Sequence, residues 1–263
     1  MDQTRRPTYL NGHPGREGGP HALWIPGAFG PDPPPYEAYS SNPLPSYAPL
    51  RPRNETRREY LTRLAKDTMS TAKKGAYVYR QQTISLKEYI NESEKGTIFY
   101  DEDSELKNWK RKPNSKTQGD VEAMISILNI TTLDAARLLD NSYRFHAQAT
   151  QPNSGIQPAP PKTGVLNFAS ATKAGGGFLN GAEAQEESIA RVSTLYPSLC
   201  TKEAKKFYTK HDEKRRDATD FYTHSMIYSP GVAVFRNDLG DAVDPYFINV
   251  VSCAAVNAGK VSG

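Results

Sequence analysis

Apolar residues recur along this chain with two different periods. Tyr60, Leu61, Leu64, Ala65, Thr68, Met69 and Ala72 fall on one face of a 3.6-residue repeat. The pattern predicts a helix with Asn54 as N-cap, Glu55 and Glu59 in or near its first turn, and Gly75 at its end. Ile98–Tyr100 and Met124–Leu128 read as short strands on either side of the polar stretch WKRKPNSKTQGD. Thr131-Thr132-Leu133-Asp134 has the form of a capping box, with Asp134 where Glu is more usual, and opens a helix carrying Leu133, Ala136, Leu138 and Leu139. A polar loop over 147–163 follows. Gly164–Ala171 is a continuous apolar run, which suits a strand covered on both faces. After a glycine-rich turn comes a helix with Ile189, Val192, Leu195, Tyr196 and Leu199, and then two buried strands, VAVFR and FINVVSCAAVNA. Strands alternating with helices predict an α/β layered fold with right-handed crossovers.

The first fifty or so residues break this rhythm. PDPPPYEAYSSNPLPSYAPLRP has no apolar period, and residues 1–52 read as a disordered Pro-rich tail ahead of a folded domain over 53–263. That tail accounts for the 20 prolines and a mean hydropathy of −0.67. The net charge of +4 tolerates an anionic ligand without demanding one. Cys200 and Cys253 are too few and too far apart for a disulfide framework or a zinc site, and their apolar neighbours suggest buried thiols in a reduced compartment. The N-terminus lacks the apolar core of a secretory signal, and no run approaches the length of a membrane span. A soluble intracellular protein, nuclear or cytoplasmic, is expected.

One segment points to chemistry: a strand, then Gly175-Gly176-Gly177, then Gln185-Glu186-Glu187 at a helix start. Consecutive glycines let backbone approach a ligand closely and adopt positive φ. A loop running into a helix N-terminus presents N–H groups and the positive end of a dipole, which suits a phosphate or pyrophosphate. Taken singly, the glycines are consistent with a flexible loop and the glutamates with dipole complementation. Elsewhere His146, His211 and His224 are isolated and read as surface or core residues, KFYTKHDEKRRD as a solvated helix or loop, and Tyr222 and Tyr228 as packing residues. Asp220 and Asp238 have no evident partner in the sequence.

Gly-Gly-Gly, seven residues, then Gln-Glu-Glu resembles the signature of microbial-type poly(ADP-ribose) glycohydrolases, whose fold is a macrodomain. VLNFASATKAGGGFLNGAEAQEESIARVSTLYPSL is similar to that family's central block, HSMIYSPGVAVFRNDLG to its next block, and CAAVNAG to the strand end that follows. The N-terminal helix with Gly75 and Tyr77, and the TTLDAARLL unit, also resemble family elements, so the likeness runs over roughly 54–260. It implies a three-layer α/β/α macrodomain-like mixed sheet. It implies Glu187 as catalytic acid, Glu186 holding the ribose hydroxyls, Gln185 supporting the site, Gly175, Gly176 and Gly177 lining diphosphate and ribose, and Asn167 and Phe235 near the ligand.

The implied reaction is hydrolysis of the ribose–ribose O-glycosidic bond. A protonated Glu187 serves first as acid and then as base, its proton held by the proximity of Glu186 and of the ligand's phosphates. No metal or cofactor is expected. The expected partner is poly(ADP-ribose) or an ADP-ribosylated protein, with no direct nucleic acid or membrane contact, and the chain is expected to be a monomer. The family continues past the position matching Gly263 with a further helix, strand and glycine-rich loop, so the C-terminal part is expected to be missing. A non-catalytic ADP-ribose reader, or an inactive truncated homologue, is the alternative reading.

Overall fold

The computed structural model describes residues 55–104, 125–150, 163–216 and 222–255. The N-terminal tail and the loop around 105–124 therefore lie outside the described residues. The first helix, α1 (Arg57–Lys74), begins two residues later than the sequence suggests. Its N-cap is Thr56, whose side chain accepts from Glu59 N, while the Glu59 carboxylate accepts from Thr56 N at 2.8 Å. The cap goes to Thr56 because a Ser/Thr with Glu three residues on satisfies two orphan donors at once. Gly75 ends the helix as expected, in the left-handed conformation at φ 70°.

A hairpin that the apolar pattern does not announce follows, β1 (Ala76–Tyr79) against β2 (Gln82–Ser85). Its two-residue turn, Arg80-Gln81, takes positive φ at both positions without the usual Asn-Gly. Helix α2 (Lys87–Gly96) and strand β3 (Ile98–Tyr100) come next. Residues 125–128 are not a strand: 125–130 belong to a second unit and run without regular structure, with Ile125 and Ile127 exposed and hence no cross-strand packing to hold them extended.

Helix α3 (Thr132–Thr150) runs into the stretch 147–150 that reads as loop. Half of its capping box forms: Thr131 Oγ1 accepts from Asp134 N, but the Asp134 carboxylate pairs with Arg137. Leu133 and Ala136 are buried, whereas Leu138 and Leu139 face out.

Strand β4 (Gly164–Ala169) leads to α4 (Gln185–Val192), α5 (Leu195–Leu199), α6 (Lys202–Arg216), β5 (Met226–Arg236) and β6 (Ala242–Ala254). The helix expected over 189–199 is thus two, broken where Ser193 bridges to Val234 of β5. α6 is not wholly solvated, since its Phe207 and His211 are buried. The mixed sheet has the order β3-β5-β6-β4, with β4 parallel to β6 and the other pairs antiparallel.

An irregularity between Ser229 and Val232 resets the alternation of β5. Ile227, Val232 and Val234 can therefore share one core with Ile189, Leu195, Leu199 and Phe207 of the helices, and with Ile248 and Val250 of β6. Ala233 and Phe235 point to the other face and pack with Tyr77, Leu86 and Ile90. Helices α3–α6 on one face and the hairpin with α2 on the other complete the layered α/β arrangement.

β4 departs from expectation in one respect. Val165, Asn167 and Ala169 are buried, but Leu166 and Phe168 are 48% and 56% exposed. Among the described residues it is an edge strand paired only with β6, and its run of apolar residues is covered on one face. The cysteines are also corrected: Cys200, at the end of α5, is exposed and Cys253 is half-buried.

Candidate active site

The loop between β4 and α4 brings together most of the residues singled out from the sequence. Gly175 and Gly176 both take positive φ, at 67° and 58°. This turns the loop back over the start of α4, whose first turn carries Glu186 and Glu187. The glutamates do not cap their own helix. Ser170 N donates to Glu186 Oε2 at 2.7 Å and Gly175 N to Oε1 at 3.1 Å. Gly177 N donates to Glu187 Oε1 at 2.8 Å. Gly176 N closes a turn onto Lys173 O. The glycine amides expected to line a diphosphate are thus engaged by the protein's own carboxylates and turn, because buried acceptors must be satisfied.

Gly176 has a second reason to be glycine. A Cβ there would stand 2.2 Å from Glu187 Oε1 and 3.2 Å from Glu186 Oε2. Both carboxylates therefore lie directly over this residue.

The two glutamates differ in their surroundings. Glu186 is 2% exposed with both oxygens bound. Burial pushes its carboxyl up to about 7; the neighbouring Glu187 charge adds to this, and the Ser170 and Gly175 amides and the Asn167 side chain oppose it. Glu187 is 8% exposed, and its Oε2 accepts no hydrogen bond from the described residues.

Asn167 is wholly buried beside Glu186, and its Nδ2 donates to Ser252 Oγ of β6 at 3.0 Å. Its Oδ1 has no hydrogen-bond partner among the described residues. Gln185 acts as a strand fragment. Its Oε1 accepts from Phe168 N at 2.8 Å and its Nε2 donates to Leu166 O at 2.9 Å and to Thr132 Oγ1 of α3 at 3.2 Å. It thereby ties the start of α4 to the open edge of β4, a supporting role. Phe235 stands apart from this group: it is wholly buried against Tyr77, with ring centroids 5.3 Å apart.

Three further residues lie at this site. Ser170 supplies an amide to Glu186. Tyr208 of α6 places a buried, unpartnered hydroxyl within electrostatic reach of Glu186, and burial holds that hydroxyl protonated. Arg191 is a buried cation on α4. Only Arg191 carries a sequence signal, its four-residue spacing from Glu187. Among the described residues no group of three His, Cys, Asp or Glu is placed to hold a metal, and no helix is long and apolar enough to cross a membrane.

Comparison with known proteins shows what this chain is similar to. The chain matches the family described as microbial-type PARG, catalytic domain, over residues 65–237. It is 30% identical to the poly(ADP-ribose) glycohydrolase of Thermomonospora curvata bound to the inhibitor ADP-HPD, with a TM-score of 0.61 over 78% of this chain and 66% of that one. A second structure of the Thermomonospora curvata protein gives 30% identity and a TM-score of 0.64, over 78% and 67% of the two chains. The chain thus spans about two thirds of the length of these relatives. No curated protein matches.

Proposed function

Because this chain belongs to the microbial-type PARG catalytic-domain family, we propose that it hydrolyses poly(ADP-ribose), cutting the ribose–ribose O-glycosidic bond to release ADP-ribose. The observation that carries this reading is the pair of glutamates folded over Gly176, one with both oxygens committed and one with an oxygen free. In the proposed reaction the unbound Oε2 of Glu187 delivers the proton to the leaving ribose oxygen and then activates the water. Glu186 orients the sugar through the second lone pairs of its bound oxygens, and a negative charge beside the anomeric carbon stabilises an oxocarbenium-like centre. Asn167 Oδ1, buried and unpartnered, is the acceptor offered to a ribose hydroxyl. Phe235 acts from behind the site, through the packing of β5. A macrodomain-like description of the fold, a nuclear or cytoplasmic address and a part in removing the polymer after DNA damage belong to the same reading.

The test is incubation of the purified chain with poly(ADP-ribose). Free ADP-ribose is the expected product. Tight binding of ADP-ribose without its release from the polymer would replace the hydrolase by a reader.

A further inference from the structure

Arg191 is 4% exposed, an uncommon place for a guanidinium. It lies one helical turn after Glu187 on α4, so the two side chains share a face. Its Nη2 donates to the carbonyl of Ala182, and its backbone carbonyl is held by the Thr68 hydroxyl of α1. Ala182 N in turn donates to Gly177 O at 3.3 Å, and Gly177 N to Glu187 Oε1. Arg191, Ala182, Gly177 and Glu187 thus form a closed circuit that begins and ends on α4. The Nε of Arg191 is buried without a hydrogen-bond partner among the described residues. A buried cation left partly unsatisfied is costly unless a negative charge compensates it. The carboxylates within its electrostatic reach are Glu187 and Glu183, and the opposing cation is Arg57. Glu183 is exposed and already pairs with Arg57 at 2.8 Å, which leaves Glu187 as the buried counter-charge.

We propose that Arg191 is a positioning residue for Glu187, fastening the return limb of the glycine loop to α4 and supplying the buried positive charge against which the Glu187 carboxylate is held. This rests on the hydrolase reading for its catalytic meaning, but its geometry stands without it.

The experiment is a double-mutant cycle of Arg191→Gln with Glu187→Gln, read by thermal unfolding of the full chain, with Arg191→Lys as the charge-preserving control. Glutamine removes the charge and is too short to reach Ala182 O, so the shorter but still charged Arg191→Lys separates the loss of charge from the loss of that hydrogen bond. The drop in Tm caused by Arg191→Gln is expected to shrink by at least about 2 °C once Glu187 is already Gln. Equal drops in both backgrounds overturn the proposal. If Arg191→Gln folds only in the Glu187→Gln background, the coupling is confirmed. Failure to fold in both alike also overturns it, since the loss is then independent of Glu187.

In turnover, Arg191→Lys is expected to keep kcat within about threefold of the parent. Arg191→Gln is expected to lower kcat roughly tenfold or more at little cost in KM. A parent chain that releases no ADP-ribose would sink the hydrolase reading while leaving the unfolding cycle readable.

Discussion

Of the helix starts that carry acidic residues, those of α1 and α4 behave in opposite ways. At α1, Glu59 is exposed and folds back onto Thr56, and the hydrogen bonds from the Thr56 side chain and amide hold its carboxyl below the usual range. At α4, Glu186 is buried, turns away from its own helix and binds amides of the preceding loop, and its carboxyl rises to about 7. The residue type and the helix dipole are common to both, so neither explains the difference. What differs is solvent: an exposed carboxylate that satisfies orphan donors is an element of helix stability, whereas a buried one beside a second carboxylate has a proton to exchange near neutral pH.

The contrast can be broken most strongly at Glu187. Glu187→Gln keeps the shape and the acceptor for Gly177 N but removes the proton carrier. Turnover of poly(ADP-ribose) should fall by about 10²–10⁴, with ADP-ribose binding by calorimetry largely intact. A variant as fast as the parent would rule out the assigned mechanism.

The second test concerns Glu186. A carboxyl raised from 4.5 to about 7 in the fold binds its proton more tightly folded than unfolded. Its contribution to stability is complete below about pH 4.5 and is lost as pH rises through 7, a change of about 3 kcal/mol. Denaturant unfolding between pH 5 and pH 8 should show the fold weakening with pH, and Glu186→Gln should flatten that slope. An unchanged slope would mean that Glu186 is not the titrating group.

Gly176→Ala should cost less than either. A Cβ there forces the Glu187 carboxylate off its place and imposes a left-handed conformation on alanine, so ADP-ribose affinity should fall by about tenfold. Calorimetry that finds no loss would show that the loop yields freely.

At the other helix start, Thr56→Ala should lower stability by about 1 kcal/mol and leave ADP-ribose affinity unchanged. An affinity loss there would mean that α1 and the site are coupled, which the contact of Thr68 with the Arg191 carbonyl makes a meaningful control.

Much of the scaffold is legible in local pattern. The apolar repeat from Tyr60 to Ala72 and the stop at Gly75 report α1, because a helix face and a left-handed cap are properties of neighbouring residues. The apolar runs around Phe168, Val234 and Val250 report the three longer strands for the same reason. The β1–β2 hairpin is not legible, since Arg80-Gln81 carries no turn signature. The break at Ser193 depends on a bridge to Val234, forty-one residues away in sequence.

Residue order alone places a glycine loop ahead of a helix beginning Gln185-Glu186-Glu187, and that order marks the family to which the chain belongs. The fold around them sets what each of those groups touches. It spends the Gly175 and Gly177 amides on the glutamates, turns Gln185 into a patch for the edge of β4, leaves one oxygen of Glu187 open and seals Arg191 behind the loop. The physical reason is that residue order sets which groups can be near one another, while burial and hydrogen-bond satisfaction depend on what every other element leaves uncovered.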